Sequence, residues 1–562
     1  MIIGIDLGTT NSLVAYFSDE GAKIIPNRFG SNLTPSVVSI DEDNNIYVGE
    51  VAKERLQLYP DFSAAVFKRD MGTNKKFKLG AQEFTAEELS SFVLKALKED
   101  AQTFLGIEVT EAVISVPAHF NEMRRKATKR AGELAGLKVE RIISEPTAAA
   151  IAYQLHERKD GVKSLIFDLG GGTFDISVLE FHDNILEVRA VAGDNYLGGE
   201  DFSDVLYKMF LHKHNLNEKE IEYKTTLYIR EQVEKAKIKF STNKEVSLSC
   251  NVDGKVLSSV ISMDEFNLKC NDLFDKIRKP IKRSLSDAKI NLKDIDSVIL
   301  IGGATKLPIV YKFASKLFRC IPYTHINPDE AVAIGAAIQA AMKERHDDVR
   351  EIILTDVCPF TLGTEVVRYT DKDSYEGGYF CPIIERNTVI PTSRTERIYT
   401  VYDDQTQIRI NILQGESRLA KNNISIGEML VEVPKAKAGN EPIDITYTYD
   451  INSLLEVEVR IVSTKQVTRQ IIKNQDIEMD DEAISKRLEQ LAYLKTPPRE
   501  HELNKLLLTR AERLYEESIG DIRKHLEIEL LKFDTALNSQ DNTKIEKGRK
   551  RLEEVLARLE DI

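Results

Sequence analysis

One pattern restricts this chain more than any other, because it occurs twice. Ile3-Gly4-Ile5-Asp6-Leu7-Gly8-Thr9-Thr10 and Leu165-Ile166-Phe167-Asp168-Leu169-Gly170-Gly171-Gly172-Thr173 each run from an apolar strand through an aspartate into a Gly/Thr turn. A turn without Cβ atoms lets backbone N–H groups approach phosphate oxygens. Threonine hydroxyls add donors, and an aspartate at the strand end can hold the water shell of Mg²⁺. Two such turns facing one another would clamp one nucleotide from both sides. A third turn, Gly302-Gly303-Ala304-Thr305, follows the strand ending at Ile301 and would pack against the nucleoside. A single glycine turn is weak evidence, but two led by aspartate plus a third are specific. No GxxxxGK[ST] loop is present, and no GxGxxG follows the first strand, so neither a Walker site nor a dinucleotide fold is expected.

Around these turns, residues 1–345 alternate β-branched runs with amphipathic stretches, which predicts α/β architecture. Leu89, Phe92, Val93 and Ala96 mark one helix face, and Val113–Val116 and Val298–Ile301 read as buried strands. Residues 358–475 instead alternate with period two, as at Ile408/Ile410/Ile412, Ile443/Ile445/Tyr447 and Leu455/Val457/Val459. This predicts an antiparallel β domain with one wet face. From about residue 480 the chain is helical, with Ile484, Leu488 and Leu491 on one stripe, a break at Pro497-Pro498, and Leu552, Val555, Leu556 and Leu559 on another. The expected order is an α/β domain over 1–347, a linker over 348–357, a β domain over 358–478 and a helical segment over 479–562. The linker's Ile352-Ile353-Leu354 is too short to form its own core and must dock elsewhere in at least one state.

The 562 residues are too many for one core. Lys and Arg number 77 against 90 Asp and Glu, a balance that does not advertise nucleic acid or an anionic membrane as partner. Basic runs such as Lys75-Lys76 and Arg124-Arg125-Lys126 read as solvated faces. Met1–Asp6 has no basic leader and reads as a strand. No apolar run reaches the ~20 residues of a membrane helix. The five cysteines form no CxxC pair, which suits small buried residues in a reducing compartment, the cytoplasm.

Seen together, IDLGTTNS at 5–12, VPAHF at 116–120, EPTAAA at 145–150, DLGGGTFD at 168–175, GDNYLGGEDF at 193–202, ILIGGATKLP at 299–308 and NPDEAVAIGAA at 327–337 resemble the signatures of the DnaK-type heat-shock chaperones. NTVIPTSR at 387–394 and ILQGE at 412–416 extend the resemblance through the β domain. The details look most like the HscC branch of that family. The resemblance implies a duplicated, two-lobed α/β actin-like ATPase followed by an antiparallel β-sandwich and a short α-helical lid, with ATP hydrolysis coupled to binding and release of extended apolar peptide, ATP/ADP and Mg²⁺ as ligands and K⁺ as a possible one. It implies unfolded clients and a J-domain co-chaperone as partners, and leaves an exchange factor open. The short lid and missing tail suggest a specialised member.

Residue by residue, the resemblance implies that Asp6 and Asp168 orient Mg²⁺ through water. Thr9, Thr10 and Thr173 touch phosphates, Lys68 reaches the γ-phosphate, and Glu145 and Asp175 position water and metal. Gly8, Asn11, Gly170, Gly171 and Gly172 complete the phosphate turns. Glu234, Lys237, Ile238, Ser241, Gly302, Gly303, Ala304, Lys306 and Asp329 fall on the adenosine side. Lys306 replaces the family's usual Arg. The lobe between Asp201 and Asp264 looks short, which puts docking of the usual exchange factor in question. In the β domain the peptide pocket falls on Ile398, Val401, Ile408 and Ile410. Val367 would arch with Val401 over the bound segment, and Thr364 stands at the rim where a larger apolar residue is usual. Pro117, Arg125 and Arg141 match relay and J-domain contact positions, and Ile352, Ile353, Leu354 and Asp356 match the coupling linker. An actin-like small-molecule kinase, a nucleotide-gated assembly protein and a non-hydrolysing holdase are the competing readings. The kinase would have no reason to carry the linker and the β domain.

Overall fold

The computed structural model describes residues 1–154, 161–182, 185–252, 255–344, 353–370, 374–450, 455–472, 502–518, 520–539 and 542–560. The chain divides into two compact units, Met1–Phe360 with Arg386–Val389, and Thr361–Glu385 with Ile390–Ile562.

The first unit is built on two mixed sheets that repeat one local topology. In one, strand Ile2–Asp6 runs parallel to Glu111–Val116 and antiparallel to Asn11–Ser18. In the other, Lys163–Leu169 runs parallel to Ser297–Ile301 and antiparallel to Phe174–His182. Each aspartate-headed strand therefore occupies the same place in its sheet, as the sequence repeat demands. Strands so buried carry unbroken apolar runs: Ile3, Ile5, Leu165, Ile166 and Phe167 are fully buried. Helix Ala86–Leu105 starts at a Thr85/Glu88 capping box and ends at left-handed Gly106. It buries Leu89 and Val93 against the first sheet's core. The alanine-rich helices Glu145–Gln154 and Ala331–Glu344 pack on one another, so closely that a Cβ at Gly335 would fall 1.7 Å from the Ala148 carbonyl oxygen.

The second sheet continues through Ile185–Asp194 to Ile353–Val357, which pairs in parallel with it at Ile185↔Ile353, Leu186↔Leu354 and Glu187↔Thr355. The stretch expected to be a linker is thus a strand over its last five residues. Ile352 lies outside the described residues. Past this strand, the Asn387 N–H donates to the Cys358 carbonyl and the Cys358 N–H to the Thr388 carbonyl. Arg386 and Asn387 both donate to the Asp287 carboxylate, Arg386 through Nε at 2.8 Å and Nη2 at 3.0 Å.

The second unit holds two four-stranded antiparallel sheets. One orders Ser374–Ile384, Leu362–Thr370, Gln407–Gln414 and Ile424–Glu432; the other orders Thr392–Tyr399, Pro442–Tyr449, Leu455–Ile461 and Val467–Ile472. Period-two alternation buries Ile408, Ile410 and Ile412 from the first and Ile443, Ile445 and Tyr447 from the second. The Tyr447 hydroxyl donates to the Gly363 carbonyl at 3.0 Å, across the sheets. The wet face expected of Leu455–Ile461 is a correction: Glu456 and Glu458 are buried too, because Arg469 of the neighbouring strand lies over Glu458 with Nε at 2.9 Å.

Helices Glu502–Glu517, Gly520–Asn538 and Asn542–Glu560 close a separate apolar core of Leu507, Leu508, Ala511, Leu526, Phe533, Leu552 and Leu556. Val555 and Leu559 pack at its edge. The stripe at Ile484, Leu488 and Leu491 and the Pro497-Pro498 break lie outside the described residues.

Candidate nucleotide site

A cavity of about 400 Å³ in the first unit is lined by all three glycine turns. Asp6, Gly8, Thr9, Thr10 and Asn11 enter from the first sheet, and Asp168, Gly170, Gly171 and Thr173 from the second. The two turns meet: a Cβ on Gly171 would lie 2.5 Å from the Thr10 hydroxyl, so only glycine allows this approach. Lys68 and Glu145 line the cavity floor, both buried, with Nζ and Oε1 2.7 Å apart.

The far side is formed by Glu234, Lys237 and Ile238 at the end of helix Tyr223–Lys239, with Ser241 just beyond. Gly302, Gly303, Ala304, Lys306 and Asp329 complete it, and Lys306 pairs with Asp329. Lys237 Nζ donates to the Gly199 carbonyl at 3.0 Å, while Glu234 accepts from Ser203 at 2.6 Å. Ile238 is 61% exposed, an apolar face turned to open space beside the cavity. Of the expected nucleotide residues, Gly172 and Asp175 are not in the lining. Gly172 packs against Thr9 and Arg69, and Asp175 is buried behind the turns.

The electrostatics follow from burial. Asp6 is pushed up to about 7 and Asp175 to about 8, in each case first by desolvation and then by the Glu145 charge. Asp168 is raised well above the ordinary carboxylate range for the same reasons. Half-buried Asp6 and the buried Asp168, Asp175 and Glu145 thus face the buried ammonium of Lys68. Protons or a cation must supply the missing positive charge. Ser115 Oγ donates to Asp6 at 2.7 Å, and the His119 N–H donates to Asp175 at 3.1 Å, so both carboxylates are oriented. The aspartates fit Mg²⁺. Among the described residues no three acidic, His or Cys side chains converge as a direct cage, so a Mg²⁺ here would be held mainly through its own waters. When bound, such an ion supplies charge neutralisation to phosphate oxygens.

Several contributors had no sequence signal. Arg69 Nε donates to the Gly172 carbonyl at 3.0 Å and its Nη2 lies 3.4 Å from Asp201, bracing the second turn from the first lobe. Gly199 and Glu200 line the cavity. Only their place inside GDNYLGGEDF could have drawn attention to them. Arg125 donates to the carbonyls of Phe120 and Ala118, and Pro117 opens the turn between strand and helix; Arg141 lies on strand Lys138–Ser144. Arg124 corrects the expectation of a solvated basic run, since it is buried. In the second unit Ile408 and Ile410 are buried, Ile398, Val401 and Val367 half-buried. Thr364 is not at a rim: it is fully buried opposite Ile412, with no partner for its hydroxyl among the described residues. A second cavity, about 430 Å³ between Arg28, Ile46, Phe92 and Leu134, brings together no comparable set of turns and carboxylates.

Duplicated lobes, facing phosphate turns and a buried Lys–Glu pair define a two-lobed ATPase. The Hsp70 protein family model matches residues 2–79 and 73–561. This chain belongs to the Hsp70 family, the ATP-dependent molecular chaperones that bind ATP and ADP with Mg²⁺ and act on client peptides with J-domain co-chaperones. It is 41% identical over 503 residues to "Chaperone protein DnaK" of Thermotoga neapolitana, covering 87% of this chain and 83% of that one. Against the protein of the same name from Thermosipho melanesiensis it is 40% identical over 502 residues, 87% of this chain and 82% of the other. No helix among the described residues is long and apolar enough to cross a membrane.

Proposed function

We propose that this chaperone transmits nucleotide state to its peptide groove through strand Ile353–Val357. The observation that carries the reading is the parallel pairing of that strand with Ile185–Asp194. Strand Ile185–Asp194 is in turn paired with Phe174–His182, with Gly193 opposite Asp175. The tether is therefore two strands from buried Asp175. Docking it in only one nucleotide state would shift a population strongly, since burying three apolar side chains is worth ~1.5–3 kcal/mol each.

In this reading Asp6 and Asp168 hold the hydrated metal, Lys68 and the threonines hold phosphate, and Glu145 and Asp175 position the attacking water. Ile398, Val401, Ile408, Ile410 and Val367 form the groove; Pro117, Arg125, Arg141 and Asp356 serve relay and co-chaperone contacts. The domain limits are 1–347, 348–357, 358–478 and 479–562. Lys306 and Thr364, both departures from the usual residue, support a specialised member near the HscC branch. Cys250 and Cys270, buried and outside any disulfide among the described residues, support the cytoplasm. K⁺ beside Mg²⁺ and an exchange factor stay part of the reading as optional components.

The test is the affinity of an extended apolar peptide measured with ATP and with ADP. A weakening of at least tenfold with ATP is expected. Equal affinities would leave the holdase reading in its place.

A further inference from the structure

Arg124 lies in the first turn of helix Glu122–Leu134, whose N-cap Asn121 accepts from its backbone N–H at 3.0 Å. Its side chain is buried, 8% exposed, yet among the described residues no carboxylate pairs with it. One nitrogen, Nη2, donates to the Tyr196 hydroxyl at 3.2 Å, and the guanidinium sits over the Phe120 and Tyr196 rings at 5.3 and 5.8 Å. The other, Nη1, is buried with no acceptor among the described residues. A guanidinium cannot shed its charge to relieve burial, and the amino end of a helix adds to the positive potential. The position lacks an anion.

The surroundings indicate which anion. Asn195, beside Tyr196, donates through Nδ2 to the His119 carbonyl at 3.5 Å, leaving a buried Oδ1 with no donor among the described residues. A carboxylate ligand would satisfy only the cation. Inorganic phosphate near neutral pH carries both P–O⁻ acceptors and a P–OH donor, one kind of partner for each orphaned atom. The reaction in the adjacent cleft releases that species. Lys68 Nζ lies over the same Phe120 ring at 5.7 Å, and the His119 N–H is bonded to Asp175. Phe120 thus has a cleft cation and the orphaned guanidinium against one ring. On the outer side Tyr196 is 59% exposed and covers Arg124.

We propose that Arg124, Asn195 and Tyr196 form a second oxyanion site, which receives inorganic phosphate on its way out of the cleft, with Tyr196 as its outer cover. The site holds phosphate through Arg124 Nη1 and Asn195 Oδ1. No bond is made or broken there. This rests on the reading of Lys68 as a phosphate-facing group.

The test measures cleavage by rapid quench and phosphate release by a fluorescent phosphate sensor in single turnovers of the full chain. Inorganic phosphate is also titrated into the Mg·ADP-bound protein and followed by ³¹P NMR, which separates uptake from solution from passage of product. In Arg124→Gln the ratio of release rate to cleavage rate should change at least threefold, and a bound phosphate resonance seen in the parent should be lost. Arg124→Lys should restore part of both, and Tyr196→Phe should alter the release ratio while keeping the ring. If Arg124→Gln fails to fold, the last two variants decide. An unaltered release ratio and an unaltered resonance in the variants would overturn the site and leave ordered water as its occupant. Lys68→Met provides the separate control: cleavage that survives it would refute the cleft reading itself, whatever Arg124 does.

Discussion

The residues of the cleft are arranged around a shortage of positive charge. Asp6 and Asp175 titrate at about 7 and about 8 because burial and the Glu145 charge oppose ionisation. Their values when folded lie above the unfolded one of 3.8, so the stability they contribute is fully present below that pH and is lost as pH rises through 7 to 8. The metal- and nucleotide-free protein should therefore melt at lower temperature at pH 9 than at pH 6, with the slope flattened by Mg·ADP. Calorimetry in both ligand states checks this; equal slopes would mean the carboxylates do not carry the titration. On the adenosine side, Lys306 provides a point charge tied to Asp329 where a planar guanidinium would stack. Lys306→Arg should tighten ADP binding about fivefold, roughly 1 kcal/mol, measured by titration calorimetry. Unchanged or weaker binding would show that this position does not meet the base.

At the scale of elements, two features depend on a few contacts. Strand Ile353–Val357 is held by its pairing with Ile185–Glu187. Leu354→Asp should spare basal ATP turnover but abolish its stimulation by peptide, because a charge resists docking in that sheet. Stimulation that persists in a steady-state assay would discredit the tether. In the C-terminal helices, buried Glu529 accepts from Arg551 Nε at 2.6 Å and Nη2 at 2.8 Å and from Lys532 at 2.8 Å. These partners hold its carboxyl at about 2, below its ordinary 4.5. A depressed value means the stabilisation is in force above about pH 4.5 and drains away as the pH falls toward 2. Glu529→Gln should destabilise the three-helix bundle by about 1–2 kcal/mol at neutral pH and by little at pH 2.5. A pH-independent loss in thermal melts would assign the effect to packing instead.

Across the whole molecule, what could be read in advance was what repeats locally. Twin Asp–Gly turns announced two lobes before any contact was known, since strand, aspartate and turn are consecutive residues. Ile408 to Ile412 announced a sheet by alternation alone. Contacts between distant residues left no such mark: Arg69 on the Gly172 carbonyl, the His119 N–H on Asp175 and Arg386 on Asp287 join residues about a hundred or fewer positions apart. Glu456 and Glu458 looked solvated because alternation reports one buried face and is silent on a second. Arg124 looked solvated because its neighbours in sequence are charged, while its neighbours in space are Phe120 and Tyr196. If the C-terminal helices retain substrate, deleting residues from Pro497 onward should raise the peptide off-rate at least several-fold with ADP bound. An unchanged off-rate, by fluorescence anisotropy, would leave the groove to hold its client alone.

The contact between helices Glu145–Gln154 and Ala331–Glu344 has a mechanical consequence. Its facing side chains are mostly methyl groups, with Gly335 against the Ala148 carbonyl, so no long knob sits in a deep hole to fix the crossing. Such a surface resists separation, through its close fit, far more than it resists turning. A machine part of this kind is a plain bearing, and it allows one half of the ATPase to swivel on the other by small shear displacements without repacking either interior.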